Sequence, residues 1–317
     1  MTQDETTITV LAPADSPPPG LERIEARASV RQATDGDSLA QHLPGSDILL
    51  VTDFRTAALA EAWPQADRLQ WIHATSAGVD QILFDELRAS AVTLTNARGF
   101  FDRAIAEYVL GVILAFAKDT RANIVHQQRH EWRHRDTETI LDKKVLVVGA
   151  GSIGHAIGSL CRNAGMQVSG VARSARAGDQ VFDRIHATSD LPTQLPQADF
   201  VVIAAPLSDS TRGLFDAQAF AAMQPHARLI NIGRGPIVDT KALLQALDDG
   251  QIAGAALDVF EQEPLPSNHP LWDYENVLIS AHMAGDFIGW REALIDQFLA
   301  NLERWQQGKP LHNVVNK

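Results

Sequence analysis

A single cysteine, Cys161, stands among 317 residues, so the chain cannot close a disulfide within itself. Its stability has to come from packed apolar cores, and a reducing compartment, the cytoplasm, is the expected setting. No stretch approaches the ~18 consecutive apolar residues that span a bilayer. The N-terminal segment carries Asp4 and Glu5 and no apolar run, unlike a secretory leader. Basic residues are in deficit, 27 Lys and Arg against 39 Asp and Glu, for a net charge of −12. A surface of that sign repels a phosphate backbone, which argues against nucleic acid as a partner and serves solubility instead. Internal repeats and low-complexity blocks are also missing, which leaves ordinary globular domains.

What is present is a globular balance, 45% apolar and 21% charged residues, over a length that suits two domains. Short β-rich runs alternate with helical patterns, the signature of a parallel α/β fold. The early strand candidates are Thr7–Leu11, Asp47–Thr52, Leu69–His73 and Val92–Thr95. A long helical pattern runs from Asp102 to about Lys118. The polar, basic stretch Arg121–Arg135 follows and is expected to be exposed. Six further strands are expected at Val145–Val148, Gln167–Val171, Phe200–Ala204, Leu229–Ile232, Ala255–Val259 and Val277–Ser280, enough for a doubly wound sheet. The final segment, Ile288–Trp305, is patterned as an amphipathic helix and is expected to return to the first domain, making that domain discontinuous.

The clearest chemical signal follows Val145–Val148. Gly149-Ala-Gly151-Ser-Ile-Gly154 links that strand to a helix, the order a dinucleotide site requires. The first glycine permits a tight turn, the second lets backbone approach a pyrophosphate, and the third lets helix and strand pack closely. At the end of the next strand a carboxylate would hold the ribose 2′-hydroxyl of NAD. The chain instead reads Ala172-Arg173-Ser174-Ala175-Arg176. Two guanidinium groups and a hydroxyl suit a 2′-phosphate, so NADP(H) is the expected cofactor, with NAD(H) the weaker one. The bland reading is that both arginines are solvated loop charges.

Three more residues follow successive strands: Arg234 in Asn231-Ile-Gly-Arg-Gly235, Glu263 in Asp258-Val-Phe-Glu-Gln-Glu-Pro264, and His282 after Val277–Ser280. Ligands of open α/β sheets bind at the carboxyl ends of strands, so these groups are expected to converge where a nicotinamide would lie. Ketone reduction needs a hydride and a proton. An imidazole suits the proton, a carboxylate behind it orients the ring and favours imidazolium, and an arginine can grip a substrate carboxylate. Singly, each of these residues is more often structural.

With these stretches in view, the chain resembles the D-isomer-specific 2-hydroxyacid dehydrogenase family. The resemblance runs over about residues 70–286, through Ser76-Ala-Gly-Val-Asp80, Ala106-Glu-Tyr-Val109, Gly149–Gly154, Ala205-Pro206, Asn231–Gly235, Leu257–Pro266 and His282-Met-Ala-Gly285. It implies Arg234 as substrate ligand, His282 as acid/base and Glu263 as its partner. It implies that backbone amides near Ala77 and Gly78 hold the substrate carboxylate and that Asp258 lies near the nicotinamide carboxamide. It puts Ser152, Ile153, Pro206, Thr211, Ile232 and Gly285 along the cofactor, beside Gly149, Gly151, Gly154, Arg173, Ser174 and Arg176. The implied architecture is α/β, a doubly wound Rossmann cofactor domain over 99–287 and a smaller discontinuous flavodoxin-like substrate domain from 1–98 and 288–317. A homodimer acting on a small 2-keto or 2-hydroxy acid, with glyoxylate and hydroxypyruvate foremost, completes the expectation, with no membrane, nucleic-acid or metal partner.

Some positions depart from that pattern. Ala281 replaces a common proline before the histidine, and Asp286 puts a carboxylate where a small residue is common. Glu263 argues against formate oxidation, for which relatives carry an amide there, and Ala77 lacks the base expected for phosphite oxidation. Trp132 lies on a stretch that in some relatives reaches the partner subunit, where an aromatic can touch substrate or simply pack the dimer. His126, His130 and His134 recur every four residues, as on one helical face, though basic surroundings disfavour a metal there. Trp272 is expected in the core. A second function class, a corepressor-like or sensor protein that binds cofactor without turnover, remains the alternative.

Overall fold

The computed structural model describes residues 6–52 and 58–317; Asp4 and Glu5 lie outside them. The chain divides into two compact units, Met1–Phe100 together with Phe287–Lys317, and Phe101–Asp286.

In the first unit five parallel strands form one sheet: β1 (Thr7–Leu11), β2 (Ser29–Ala33), β3 (Ile48–Val51), β4 (Trp71–Ala74) and β5 (Thr93–Thr95), ordered β2-β1-β3-β4-β5. That is the flavodoxin-like order. β3 and β4 are buried throughout, as central parallel strands covered on both faces must be. Leu49, Val51 and Ile72 pack on one face against Leu39, Leu59 and Leu87. On the other, Ile8, Val10, Leu50 and Trp71 meet Ile295, Phe298 and Leu302 of the helix Trp290–Gln306. β2 was not among the expected strands. Its sequence, Ser-Val-Arg-Gln-Ala, sits at the sheet edge and needs no continuous apolar run.

The second unit holds an eight-stranded sheet: β6 (Lys144–Val148), β7 (Gln167–Ala172), β8 (Arg176–Ala177), β9 (Arg184–Ala187), β10 (Phe200–Ile203), β11 (Arg228–Asn231), β12 (Gly254–Leu257) and β13 (Val277–Ile279). The order is β13-β12-β11-β10-β6-β7-β9-β8, with only β8 antiparallel. All six expected strands are in it. β8 and β9 escaped notice because they are short and carry Arg176 and Arg184. The winding reverses between β6 and β10, which opens a crevice at their carboxyl ends, the place where doubly wound sheets bind ligands.

Two expectations fail outside the sheets. The helix Thr120–Gln128 stops before His130, which adopts a left-handed φ of 55°, so His126, His130 and His134 share no helical face. His126 instead pairs with Glu131 at 2.8 Å. Trp132 is fully exposed. Trp272 is not in the core: the short turn Pro270–Asp273 points Leu271 inward and leaves Trp272 47% exposed, its indole N–H donating to the Pro266 carbonyl at 2.9 Å. Among the described residues no helix is long and apolar enough to cross a membrane, and no cluster of His, Cys, Asp and Glu could hold a metal.

The first unit carries a pH liability. His73 on β4 is fully buried beside Trp71 and Phe298. Its Nδ1 meets the Thr95 hydroxyl at 2.8 Å, and Nε2 has no partner among the described residues. Burial pushes the imidazole down to about 3, from 6.5. The unfolded chain therefore binds a proton that the folded chain refuses. This stability is full above the unfolded value and drains away as pH falls from 6.5 toward 3. Urea unfolding should lose about 2 kcal/mol between pH 7 and pH 5 through this group alone, and His73→Phe should lose that much less. Equal losses in the two proteins would contradict the assignment.

Candidate active site

The site is built from loops that leave the carboxyl ends of the second unit's strands. After β6 the chain turns at Gly149, whose φ of 111° few side chains tolerate. A Cβ there would come within 2.5 Å of the Ala205 nitrogen, so the turn after β6 lies directly against the one after β10. A Cβ on Gly154 would sit 2.0 Å from the Gly149 carbonyl oxygen, so only glycine lets the helix Ser152–Asn163 start this close to the strand. At Gly151 a Cβ would meet no protein atom within 4 Å. That side is open, next to a helix whose first N–H groups lack intrahelical partners. A pyrophosphate fits such a cradle. The Ser152 hydroxyl lies 3.4 Å from Asp102, and burial raises the Asp102 carboxyl despite that contact.

β7 ends at Ala172, followed by exposed Arg173 and Ser174. Arg176 turns back over the glycine-rich loop, and its Nη2 donates to the Ala150 carbonyl at 3.0 Å. Arg173 and Arg176 thus both follow the end of this strand, which carries no acid. After β10, Thr211 closes a turn: its hydroxyl donates to the Pro206 carbonyl at 2.7 Å and accepts from the Ser208 amide at 2.8 Å.

β11, β12 and β13 are neighbours and present Arg234, Glu263 and His282 in turn. The buried Asn231 side chain braces the first loop, accepting from the Gly233 amide and donating to the Arg234 carbonyl, each at 3.1 Å. Ile232 is buried beside it. A Cβ on Gly235 would fall 1.9 Å from the Phe260 carbonyl carbon, so the Arg234 loop and the Glu263 loop are in backbone contact. Glu263 Oε1 accepts from the Phe260 amide at 2.9 Å, and Oε2 meets His282 Nδ1 at 2.8 Å. Burial pushes the Glu263 carboxyl up. The His282 hydrogen bond, the Phe260 amide and the charges of His282 and Arg234 outweigh it, so the net movement is down from 4.5. The carboxylate therefore persists at neutral pH and is lost only as pH falls below that value.

His282 holds a left-handed φ of 53°, a conformation uncommon for residues other than glycine. Asp258 secures it. This carboxylate is 2% exposed, and its Oδ1 accepts from the Ser280 hydroxyl at 2.5 Å and the Met283 amide at 2.9 Å, while Oδ2 accepts from the Ala284 amide at 2.9 Å. The Asp258 carbonyl also accepts from the His282 amide at 2.8 Å. Asp258 thus bridges the chain on both sides of the imidazole. Because Ser280 gives its only proton to the carboxylate, the Tyr108 hydroxyl, 2.7 Å away, must donate to Ser280. Sequence reading missed both Ser280 and Tyr108. Tyr108 was visible inside Ala106–Val109, but a hydrogen bond across 172 positions leaves no local signal. Gly285 packs against Phe101, where a Cβ would approach to 2.9 Å. Beyond it, burial and the Asp258 charge raise the Asp286 carboxyl against the opposing pull of His282.

Ala77 and Gly78 belong to the first unit. Asn96 Nδ2 donates to the Ala77 carbonyl at 2.6 Å and the Ser76 hydroxyl to the Gly78 carbonyl at 2.7 Å, fixing the turn after β4.

A family model described as "D-isomer specific 2-hydroxyacid dehydrogenase, NAD binding domain" matches residues 110–284. Glyoxylate/hydroxypyruvate reductase B of Salmonella typhimurium is 33% identical over 312 residues, 93% of this chain and 94% of that one. The solved D-isomer specific 2-hydroxyacid dehydrogenase of Xanthobacter autotrophicus, in complex with NADPH and MES, is similar with a TM-score of 0.81 and 30% identity, over 97% of this chain and 98% of that one. The NADPH-dependent glyoxylate/hydroxypyruvate reductase of Sinorhizobium meliloti, in complex with NADP and sulfate, gives a TM-score of 0.81 and 27% identity, over 99% and 98%. With a family model spanning most of the second unit and relatives matched along nearly the whole length, this chain belongs to the D-isomer specific 2-hydroxyacid dehydrogenases.

Proposed function

We propose that the protein reduces small 2-keto acids to D-2-hydroxy acids with NADPH, glyoxylate and hydroxypyruvate being the first substrates to test. The observation that carries this reading is the 2.8 Å bond between His282 Nδ1 and Glu263 at the strand edge that also bears Arg234. Bound nicotinamide coenzyme supplies the hydride. With Nδ1 committed to Glu263, His282 delivers the proton to the developing alkoxide from Nε2. Glu263 keeps the ring oriented and compensates its charge. Arg234 grips the substrate carboxylate and polarises the adjacent carbonyl. The glycine-rich loop takes the pyrophosphate. Arg173, Ser174 and the remaining nitrogens of Arg176 take the 2′-phosphate, with Pro206, Thr211, Ile232 and Gly285 lining the coenzyme. Asp258 acts chiefly by holding the 280–284 loop. The alternative of a cofactor-binding protein without turnover is not favoured, since the named relatives are reductases and the imidazole–carboxylate pair is intact.

A panel of 2-keto acids assayed with both coenzymes tests the cofactor assignment. NADPH should exceed NADH in kcat/KM by about 10- to 1000-fold, a preference of ~1.4–4 kcal/mol, and the gap should narrow with added salt. The change of Ala172→Asp with Arg173→Ala should move the preference toward NADH. Equal kcat/KM for both coenzymes at low salt would refute it.

Glu263→Gln retains a hydrogen-bonding group but loses the negative charge that favours a protonated ring. The alkaline limb of the reduction profile should move to lower pH, because the acid form is lost earlier. A limb that stays in place or moves upward would rule out the pairing.

A further inference from the structure

Two side chains grip the glycine-rich loop by its backbone carbonyls. Arg176 holds the Ala150 carbonyl, and His155 Nδ1 lies 3.0 Å from the Gly151 carbonyl oxygen. In a trans peptide the N–H points opposite to the C=O. Fixing these two carbonyls therefore aims the amides of Gly151 and Ser152 away from Arg176 and His155. The other imidazole nitrogen, Nε2, lies 2.9 Å from Asp179 Oδ2. Asp179 Oδ1 in turn accepts from the amides of Val181 and Phe182, at 2.8 and 2.9 Å. The Phe182 ring stands edge-on to the imidazole, with centroids 4.8 Å apart. His155 thus joins the first turn of the helix Ser152–Asn163 to the segment that carries Arg173, Ser174 and Arg176.

A carbonyl and a carboxylate can only accept, so both ring nitrogens must donate for both bonds to exist at once. Only the imidazolium does that. We infer that His155 is a proton-dependent positioning residue for the coenzyme, clasping the 2′-phosphate segment to the glycine-rich loop when protonated and releasing one side when neutral. Discrimination for NADPH is then sharpest on the acid side and relaxes as pH rises. The charged groups around the ring agree. Asp179 is held down to about 2 by the Phe182 amide, His155 and the Val181 amide, so it remains an acceptor throughout. Arg176 is engaged by the neighbouring carbonyl, Arg162 on the same helix pairs with Asp183 at 2.8 Å, and Asp102 on the adjacent helix meets Ser152.

This inference rests on the NADPH reading, and the test separates the two. Dissociation constants for NADPH and NADH are measured by fluorescence titration of the full chain from pH 5.5 to 8.5, for the parent, His155→Gln and Asp179→Asn. The 2′-phosphate itself titrates near ~6, but it does so equally in all three proteins. The parent's NADH-to-NADPH ratio should fall about 3- to 10-fold more across this range than that of either variant, the scale of one ordinary, partly solvent-screened hydrogen bond. Turnover at saturating coenzyme should change less than about twofold, because neither residue lies among the reacting groups, and a larger loss would overturn the positioning role. Profiles that superimpose across the three proteins would overturn the clasp alone. A parent without NADPH preference at any pH would overturn the coenzyme reading along with it.

Discussion

The carboxylate of Asp258 is the point on which the candidate site depends. Burying an ionised group is costly unless it is fully hydrogen-bonded. Here its acceptors are used to pin one short loop, through the Ser280 hydroxyl and the amides of Met283 and Ala284. The imidazole between those contacts is held in a left-handed backbone conformation that it would not adopt unaided. Each charge-assisted bond contributes roughly 1.5–3 kcal/mol, ample to offset strain of ~1–3 kcal/mol at one residue. Removing the carboxylate would leave buried amides without partners as well as freeing the loop. Tyr108 and Ser280 extend this brace into the long helix Asp102–Ala117.

The same economy of space links the other strand ends. Gly235 lets the loop bearing Arg234 touch the backbone that leads to Glu263, and Gly149 lets the turn after β6 lie against Ala204 and Ala205. Adjacent parallel strands set the loops about 4.8 Å apart. Glycines remove the side chains that would force them further. A cation, a carboxylate and an imidazole from residues 234, 263 and 282 thereby meet on one edge, and the electrostatics follow. The Glu263 carboxyl is pushed up by burial and drawn down more strongly by His282, the Phe260 amide and Arg234.

What could be read beforehand was whatever local pattern specifies. Buried parallel strands appear as apolar runs, so Val145–Val148 and Phe200–Ile203 were visible. The glycine-rich turn has fixed spacing, and Arg234, Glu263 and His282 each follow a legible strand. Short strands at or next to sheet edges were not visible, because β2, β8 and β9 lack a continuous apolar run and carry charge. Side-chain direction in short turns was also beyond reach, which is why Trp272 was misassigned to the core while its neighbour Leu271 occupies it. The bracing network stayed hidden for a different reason. Tyr108, Ser280 and Asp258 meet only through the fold, and no periodicity announces a contact between distant positions. His155 was likewise unremarkable until Asp179 and the Gly151 carbonyl were found on either side of its ring.

The central claim is that His282 is the proton donor of a reductase whose coenzyme is held elsewhere on the same edge. Turnover of glyoxylate and hydroxypyruvate with NADPH, compared between the parent and His282→Ala alongside NADPH binding by fluorescence, tests it most directly. The account predicts a fall in kcat of at least ~10², the scale of a lost general acid, with coenzyme affinity changed by no more than a few-fold. Near-parental turnover in His282→Ala would contradict it.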